Sequence, residues 1–238
     1  MTLQETIYRR RSVRSYTGSP VSDSDLETIL SFFRNAKPLF PHISVQTRIV
    51  SKDQVRFYFP WKTPQLLAIF SETKPGYLEN VGFLCQQADL FLQSMGLGSC
   101  WLGLGKLRDV GIEVDGMEFV ILIAFGHTNE PLRRGIDDFR RKPMEEISDR
   151  ADERLEPARL APSSTNSQPW YFTHEGENIH VFRNETGLFR HKMLGKMNQI
   201  DIGIALAHLY LANPDSFRFE KTNAPELKGH AYCGTVTL

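Results

Sequence analysis

The sequence predicts an α+β fold in which antiparallel or mixed sheets are flanked by helices and one unit occurs twice, an internally duplicated pseudo-dimer. Three observations lead there. Short apolar runs alternate with amphipathic helical stretches along the chain. Two helical segments share a glycine placement, Asn80-Val81-Gly82-Phe83-Leu84 and Asp201-Ile202-Gly203-Ile204-Ala205. Two helices lead into loops at matching places, Ala36–His42 and Ala161–Trp170. The pairs Ala36/Ala161 and Gly82/Gly203 are 125 and 121 residues apart, a near-constant offset that reads as a repeat. The expected division is residues 1–142 for the first half and 143–238 for a second, degenerate half.

The elements are justified in order. Thr2–Arg9 reads as a short helix with Leu3 and Ile7 inward, running into the basic segment Arg9–Tyr16. Ser22 stands three residues before Asp25 with capping-box spacing, and the helix it opens places Leu26, Ile29, Leu30 and Phe33 on one face until Pro38. Val45–Ser51 and Val55–Phe59 alternate as strands, and Leu66–Phe70 is continuously apolar, as a buried central strand is. Leu78–Met95 is the longest helical pattern, stopped at Gly96-Leu97-Gly98. Ser99–Gly105 reads as a glycine-interrupted apolar loop and Phe119–Phe125 as a second buried strand closed by Gly126. After a polar stretch, His127–Gly135, another helix is expected over Met144–Arg159. Trp170–Thr173 and Ile179–Phe182 follow as strands, then the helical stripe Asp201–Leu209 and the closing strand Ala231–Leu238.

A chain of 238 residues buries a full core, as one large domain or two closely fused halves. Twenty-eight basic residues balance 28 acidic ones, which argues against bulk binding to nucleic acid or to a membrane surface. Cys85, Cys100 and Cys233 sit among apolar neighbours without metal-ligand spacing and read as reduced thiols of a cytoplasmic protein. Met1–Ser15 is polar and arginine-rich, without the apolar core of a secretion signal, and no run reaches the length of a membrane span. The seven histidines show no metalloprotease or triad spacing, so neither a metal nor a catalytic acid–base dyad is expected.

Two stretches carry chemistry. Arg10, Arg11, Ser12 and Arg14 set three guanidinium forks and a hydroxyl within five residues, a set that matches a phosphate group bidentately. Alone, the cluster reads equally as an exposed basic face or a nucleic-acid contact. Arg140 and Arg141 form a second basic pair before Pro143, where a helix N-terminus would also favour an anion. The decamer Ala161-Pro162-Ser163-Ser164-Thr165-Asn166-Ser167-Gln168-Pro169-Trp170 brackets hydroxyls and amides between prolines. Such a loop either satisfies its own backbone or offers a row of donors to a ligand.

Together with Gly96-Leu97-Gly98-Ser99-Cys100-Trp101-Leu102-Gly103, Phe119–Gly126 and Arg141-Lys142-Pro143-Met144-Glu145-Glu146, these stretches resemble the nitroreductase family of flavoproteins. The resemblance covers most of residues 1–175 and, more loosely, the remainder. It implies a nitroreductase-like fold and an enzyme, with FMN as cofactor and NAD(P)H as co-substrate. It also implies a small-molecule electron acceptor such as a nitroaromatic or a quinone. By the same resemblance Arg10, Arg11, Ser12 and Arg14 would meet phosphate, ribityl and pyrimidine edge, and Arg141 would close on the phosphate. Arg14 or Arg10 would supply the positive charge that stabilises reduced flavin. Pro162, Ser163, Ser164 and Asn166 would line the opposite side, and Leu102 and Gly103 would bring backbone near the reactive end of the ring.

One departure is informative. The family carries its Pro-Ser-Ser-x-Asn loop soon after the basic segment, where this chain reads Lys37-Pro38-Leu39-Phe40-Pro41-His42. The intact loop arrives only in the second repeat, which lacks an Arg-Arg-Ser-x-Arg of its own. This resembles a branch in which two protomer-like halves are fused, leaving one FMN site per chain and a monomer or weak homodimer. A binding protein for FMN or another anion, a sensor or store without NAD(P)H turnover, is the alternative.

Overall fold

The computed structural model describes residues 1–57, 61–63, 65–108, 111–185 and 188–238, without the side chains of residues 188–194. Of the expected strand Val55–Phe59, residues Tyr58 and Phe59 lie outside the described residues.

Thr2 opens α1 (Leu3–Ile7) with a capping box, its hydroxyl accepting from the Glu5 N–H while the Glu5 carboxylate accepts from the Thr2 N–H. Ser22 caps α2 (Asp23–Asn35) by accepting from the Asp25 N–H at 3.1 Å, as its spacing predicts. The first sheet comprises β1 (Val45–Ser51), β3 (Gln65–Ser71), β4 (Gly98–Leu102) and β6 (Glu118–Gly126). A separate ribbon pairs β2 (Val55–Arg56) with β5 (Lys106–Leu107). The long helix α3 (Tyr77–Ser94) ends in a Schellman motif: Gly96, at φ +83°, donates to Gln93 and Leu97 donates to Leu92. The second sheet comprises β7 (Trp170–Glu175), β8 (Asn178–Asn184), β9 (Arg218–Glu220) and β10 (His230–Thr237), and α4 (Glu156–Leu160) and α5 (Leu188–Ala212) complete the helices.

Both four-stranded sheets are antiparallel and share one plan. The first runs β1-β3-β6-β4 and the second β7-β8-β10-β9. Each therefore pairs its strands in the sequence order first, second, fourth, third, with a long helix between the second and third. The two long helices pack on each other, and one continuous core joins Leu67, Ile69 and Ile123 of the first sheet through Val81, Phe83, Ile202 and Leu206 to Phe172 and Val181 of the second. Leu66, Ala68, Phe70 and Leu122 project from the opposite face of the first sheet into a second core with Val13 and Tyr16. Burial on both faces is why β3 reads as an unbroken apolar run.

Two expectations are corrected. Ser99–Gly105 is not a loop at its start: Gly98–Leu102 is a strand paired with β6. Its glycine serves a close contact, because a Cβ on Gly98 would lie 2.6 Å from Val13 Cγ1. Met144–Arg159 is not one helix. It holds 3-10 turns at Met144–Glu146 and Glu153–Leu155 before the short α4. Between those turns the backbone pairs with β7, Phe172 N–H donating to Ile147 and Asp149 N–H to Phe172. That non-local pairing outweighs the helical pattern. No eight-residue helix starts at Pro143, so the anion-favouring helix end expected behind Arg140 and Arg141 is absent.

Candidate active site

The basic N-terminal segment lies along β4, fixed by the Val13 N–H donating to Ser99 and by the Tyr16 hydroxyl donating to Val13. Across from it stands the loop 161–169, so residues far apart in sequence face one another over an open cleft of about 660 Å3. Arg10, Arg11, Ser12 and Arg14 line it from one side, and Pro162, Ser163, Thr165 and Asn166 from the other, with Arg141 bonded to Asn166. Ser12, Arg14, Pro162, Ser163 and Thr165 also line a smaller cavity of about 120 Å3 with Trp101, Gly103, Ser164, Met197, Ile200, Asp201 and Ile204. The result is a cationic cleft that opens onto a smaller pocket of mixed polar and apolar lining.

Arg10 is only 1% exposed and pairs through Nε with Asp89 at 3.1 Å. Asp89 also accepts from Ser99 at 2.6 Å and from Gln86 at 3.1 Å. Gln86 in turn accepts from the Trp101 indole and donates to His208 Nε2, whose Nδ1–H faces the carbonyl of Pro157. The carbonyl can only accept, which fixes His208 as the neutral Nδ1–H tautomer. Burial pushes its pKa down to about 3. This network holds Arg10 rigidly, yet Arg10 Nη2 is buried without a partner among the described residues.

Arg141 behaves similarly. It donates to Asn166 Oδ1 at 2.8 Å and to the Leu160 carbonyl at 3.1 Å, while its buried Nε has no partner. Burial, then the charges of Arg10, Arg133 and Arg159, pull its pKa down to about 9. Arg133 is lowered for the same kind of reason, first by burial and then by Arg10 and Arg11. Arginines that depress one another are under-supplied with negative charge, and two guanidinium nitrogens of the cluster are left without a partner among the described residues. Arg11 differs, being paired with Glu130 at 3.1 Å.

Both readings of the proline-bracketed loop hold in part. Ser163 Oγ accepts from the Gln168 N–H, Thr165 donates to the Ser164 carbonyl, and Asn166 donates to Arg140, so much of the loop satisfies its own neighbourhood. Thr165 and Asn166 hold φ of 53° and 58°, and Gln168 46°, the strained conformation that presents the loop to the cleft. Leu102 does not line either cavity; its side chain packs in the second core, while Gly103 lines the smaller pocket. Sequence reasoning missed Arg133, whose signal was a basic pair in a stretch read as plain connection. It also missed Asp201 as a cleft residue, although an acid inside an apolar helical stripe was visible.

Among the described residues no helix is long and apolar enough to cross a membrane. Compared with known proteins, residues 2–213 match the family model described as "Putative TM nitroreductase". The chain belongs to this nitroreductase family. Membership places it among oxidoreductases. No curated protein matches it. Among solved structures it is similar to a "putative nitroreductase" from Thermotoga maritima, at 21% identity and a TM-score of 0.65 over 99% of this chain and 92% of that one. It is also similar to a nitroreductase family protein from Clostridium difficile, at 16% identity and a TM-score of 0.50, over 64% of this chain and 100% of that one. At such identities these likenesses establish the α+β nitroreductase fold and nothing finer.

Proposed function

We propose that this nitroreductase-family chain is an FMN-dependent oxidoreductase that takes hydride from NAD(P)H and passes it to a nitroaromatic, quinone or similar acceptor. The observation that carries the reading is the pair of buried, partnerless guanidinium nitrogens on Arg10 and Arg141 within a mutually repelling arginine cluster. That end of the cleft suits a phosphate, and the adjoining pocket, with Trp101, Ile121, Met197, Ile200 and Ile204 among polar groups, suits a flat heterocycle. Arg10, Arg11, Ser12 and Arg141 would hold the phosphate, and Arg14, which lines both cavities, would meet the ribityl chain and ring edge. Pro162, Ser163, Ser164 and Asn166 would close the opposite wall, with Leu102 and Gly103 supplying backbone near the ring. When bound, FMN supplies the redox chemistry itself. The chain's part is to orient it, to set positive charge beside the ring and to keep bulk water from the smaller pocket.

The cleft's two walls fall in residues 1–142 and 143–238, which we read as two fused, protomer-like halves. The shared strand order and the meeting of Gly82 with Gly203 support that reading. A second site at the pseudo-equivalent place is filled by Phe40, whose ring lies 2.7 Å from where a Cβ on Gly76 would be and packs edge-on against Phe219. One FMN per chain is therefore expected, and two bound flavins would overturn the fused-halves account.

The test is spectral. FMN-loaded protein should show flavin absorption that bleaches on mixing with NADH or NADPH in stopped flow. Tight binding without bleaching would replace the enzyme by an FMN-binding sensor or store.

A further inference from the structure

Asp201 sits on α5 where the helix passes the smaller pocket, beside Ser164, Ile200 and Ile204. Its side chain is 3% exposed. The Ser164 N–H reaches its two oxygens at 3.0 and 3.2 Å, and no other hydrogen bond or ion pair serves them among the described residues. A carboxylate offers about four acceptor positions, so one shared donor leaves most of them idle. Burial accordingly pushes the Asp201 pKa up to about 8, opposed only by that N–H. An acid in such a place costs stability.

The other half of the molecule shows what holding the loop requires. Asn80 stands on α3 two residues before Gly82, as Asp201 stands on α5 two residues before Gly203. Asn80 Oδ1 accepts the Phe40 N–H at 2.8 Å, the counterpart of the Ser164 bond, and its Nδ2 donates to the Ile43 carbonyl at 3.2 Å. An amide performs the same backbone task with both of its polar atoms hydrogen-bonded. Loop anchoring therefore does not account for an ionisable group at 201, and that group lines a cavity.

We propose that Asp201 is a ligand-binding residue of the cleft, its protonated carboxyl donating a hydrogen bond to an acceptor atom on the heterocyclic end of the bound molecule. The recognised chemistry is a ring carbonyl or an unprotonated ring nitrogen, as on a flavin, which makes this inference rest on the FMN reading. Deprotonation exchanges a donor for a buried anion facing that acceptor, so tight binding belongs to the protonated form. The neighbouring charged groups do not obscure this. Cys100 on β4 is pushed by burial up to about 11, and Arg14 on the N-terminal segment lines the same cavity. Glu79 on α3 has Lys221 and Arg183 as its electrostatic partners, and Lys196 on α5 lines a separate cavity.

FMN titrations monitored by flavin fluorescence, at about pH 6 and about pH 9, test the proposal on the full chain and on Asp201→Asn. Riboflavin, which lacks the titrating phosphate, serves as the second probe. For the wild-type chain the affinity for both flavins should fall about tenfold between the two pH values, the worth of one hydrogen bond. For Asp201→Asn it should be flat, with Ser164 still bonded and the melting temperature at about pH 6 preserved. Binding whose pH dependence is the same in both proteins overturns the inference and leaves the FMN reading standing. Absence of FMN binding by either protein at both pH values overturns the two together.

Discussion

Gly82 and Gly203 meet where α3 and α5 cross. A Cβ on Gly82 would lie 2.1 Å from the Ile200 carbonyl oxygen and 3.1 Å from Gly203 Cα, and one on Gly203 would lie 2.0 Å from the Glu79 carbonyl oxygen. Neither clash is with a flexible side chain, so only backbone displacement relieves it. Gly82→Ala or Gly203→Ala should each destabilise by about 1–3 kcal/mol or more, measured by urea denaturation. Because both push the same two helices apart, the double variant should lose less than the two single losses combined. Additive losses would mean that the helices are not held at one contact.

The Arg10–Asp89 pair is 1% and 0% exposed, so removing one partner strands the other. Asp89→Ala should cost about 3–5 kcal/mol. Replacing the pair together, as Arg10→Met with Asp89→Leu, should recover part of that loss in denaturation. It should not recover the FMN binding proposed above, because the orphaned Nη2 is gone. Recovery of both would remove Arg10 from the cleft's function.

His208 gives a pH prediction with a definite sign. Its folded pKa is depressed from 6.5 to about 3 by burial, with Arg10 acting in the same direction. Between those values the unfolded chain binds a proton that the folded chain refuses. Its contribution is therefore intact above about pH 6.5 and is lost as pH falls toward 3. In His208→Gln the fall of stability with acid should be shallower by up to about 1.4 kcal/mol per pH unit. Parallel acid-unfolding curves for the two proteins would show that His208 is protonated in the native state.

The arginine cluster predicts stabilisation by simple anions. Inorganic phosphate should raise the melting temperature of the ligand-free protein by mass action, and the rise should be smaller in Arg141→Gln. Sodium chloride at the same ionic strength should do less, since the site matches an oxyanion's geometry rather than charge alone. Equal phosphate shifts in the two proteins would place the anion away from Arg141.

What could be read in advance followed the range of the interactions. The Ser22 cap, the run Leu66–Phe70 and the α3 stop at Gly96 are set by neighbours within a few residues, and they stand as the sequence predicts. Gly98–Leu102 was hidden because its glycine answers to Val13, and Met144–Arg159 because its backbone answers to Phe172. In the site, the residue types of the basic segment were legible but their exposure was not. Arg10 is buried because Asp89, 79 positions away, takes its charge, whereas Arg11 turns out to Glu130. Asp201 could be aligned with Asn80 from the glycine two residues on, but its lack of partners needed the folded loop.

The two walls of the cleft belong to one covalent chain. Dilution cannot separate them, since each wall faces the other at an effective concentration set by the chain rather than by the amount of protein present. There is a genetic consequence as well. In a symmetric dimer every substitution is made twice, once on each side of the axis. A continuous chain is released from that copying, and so it can keep a self-satisfied amide at Asn80 while placing a solitary acid at Asp201.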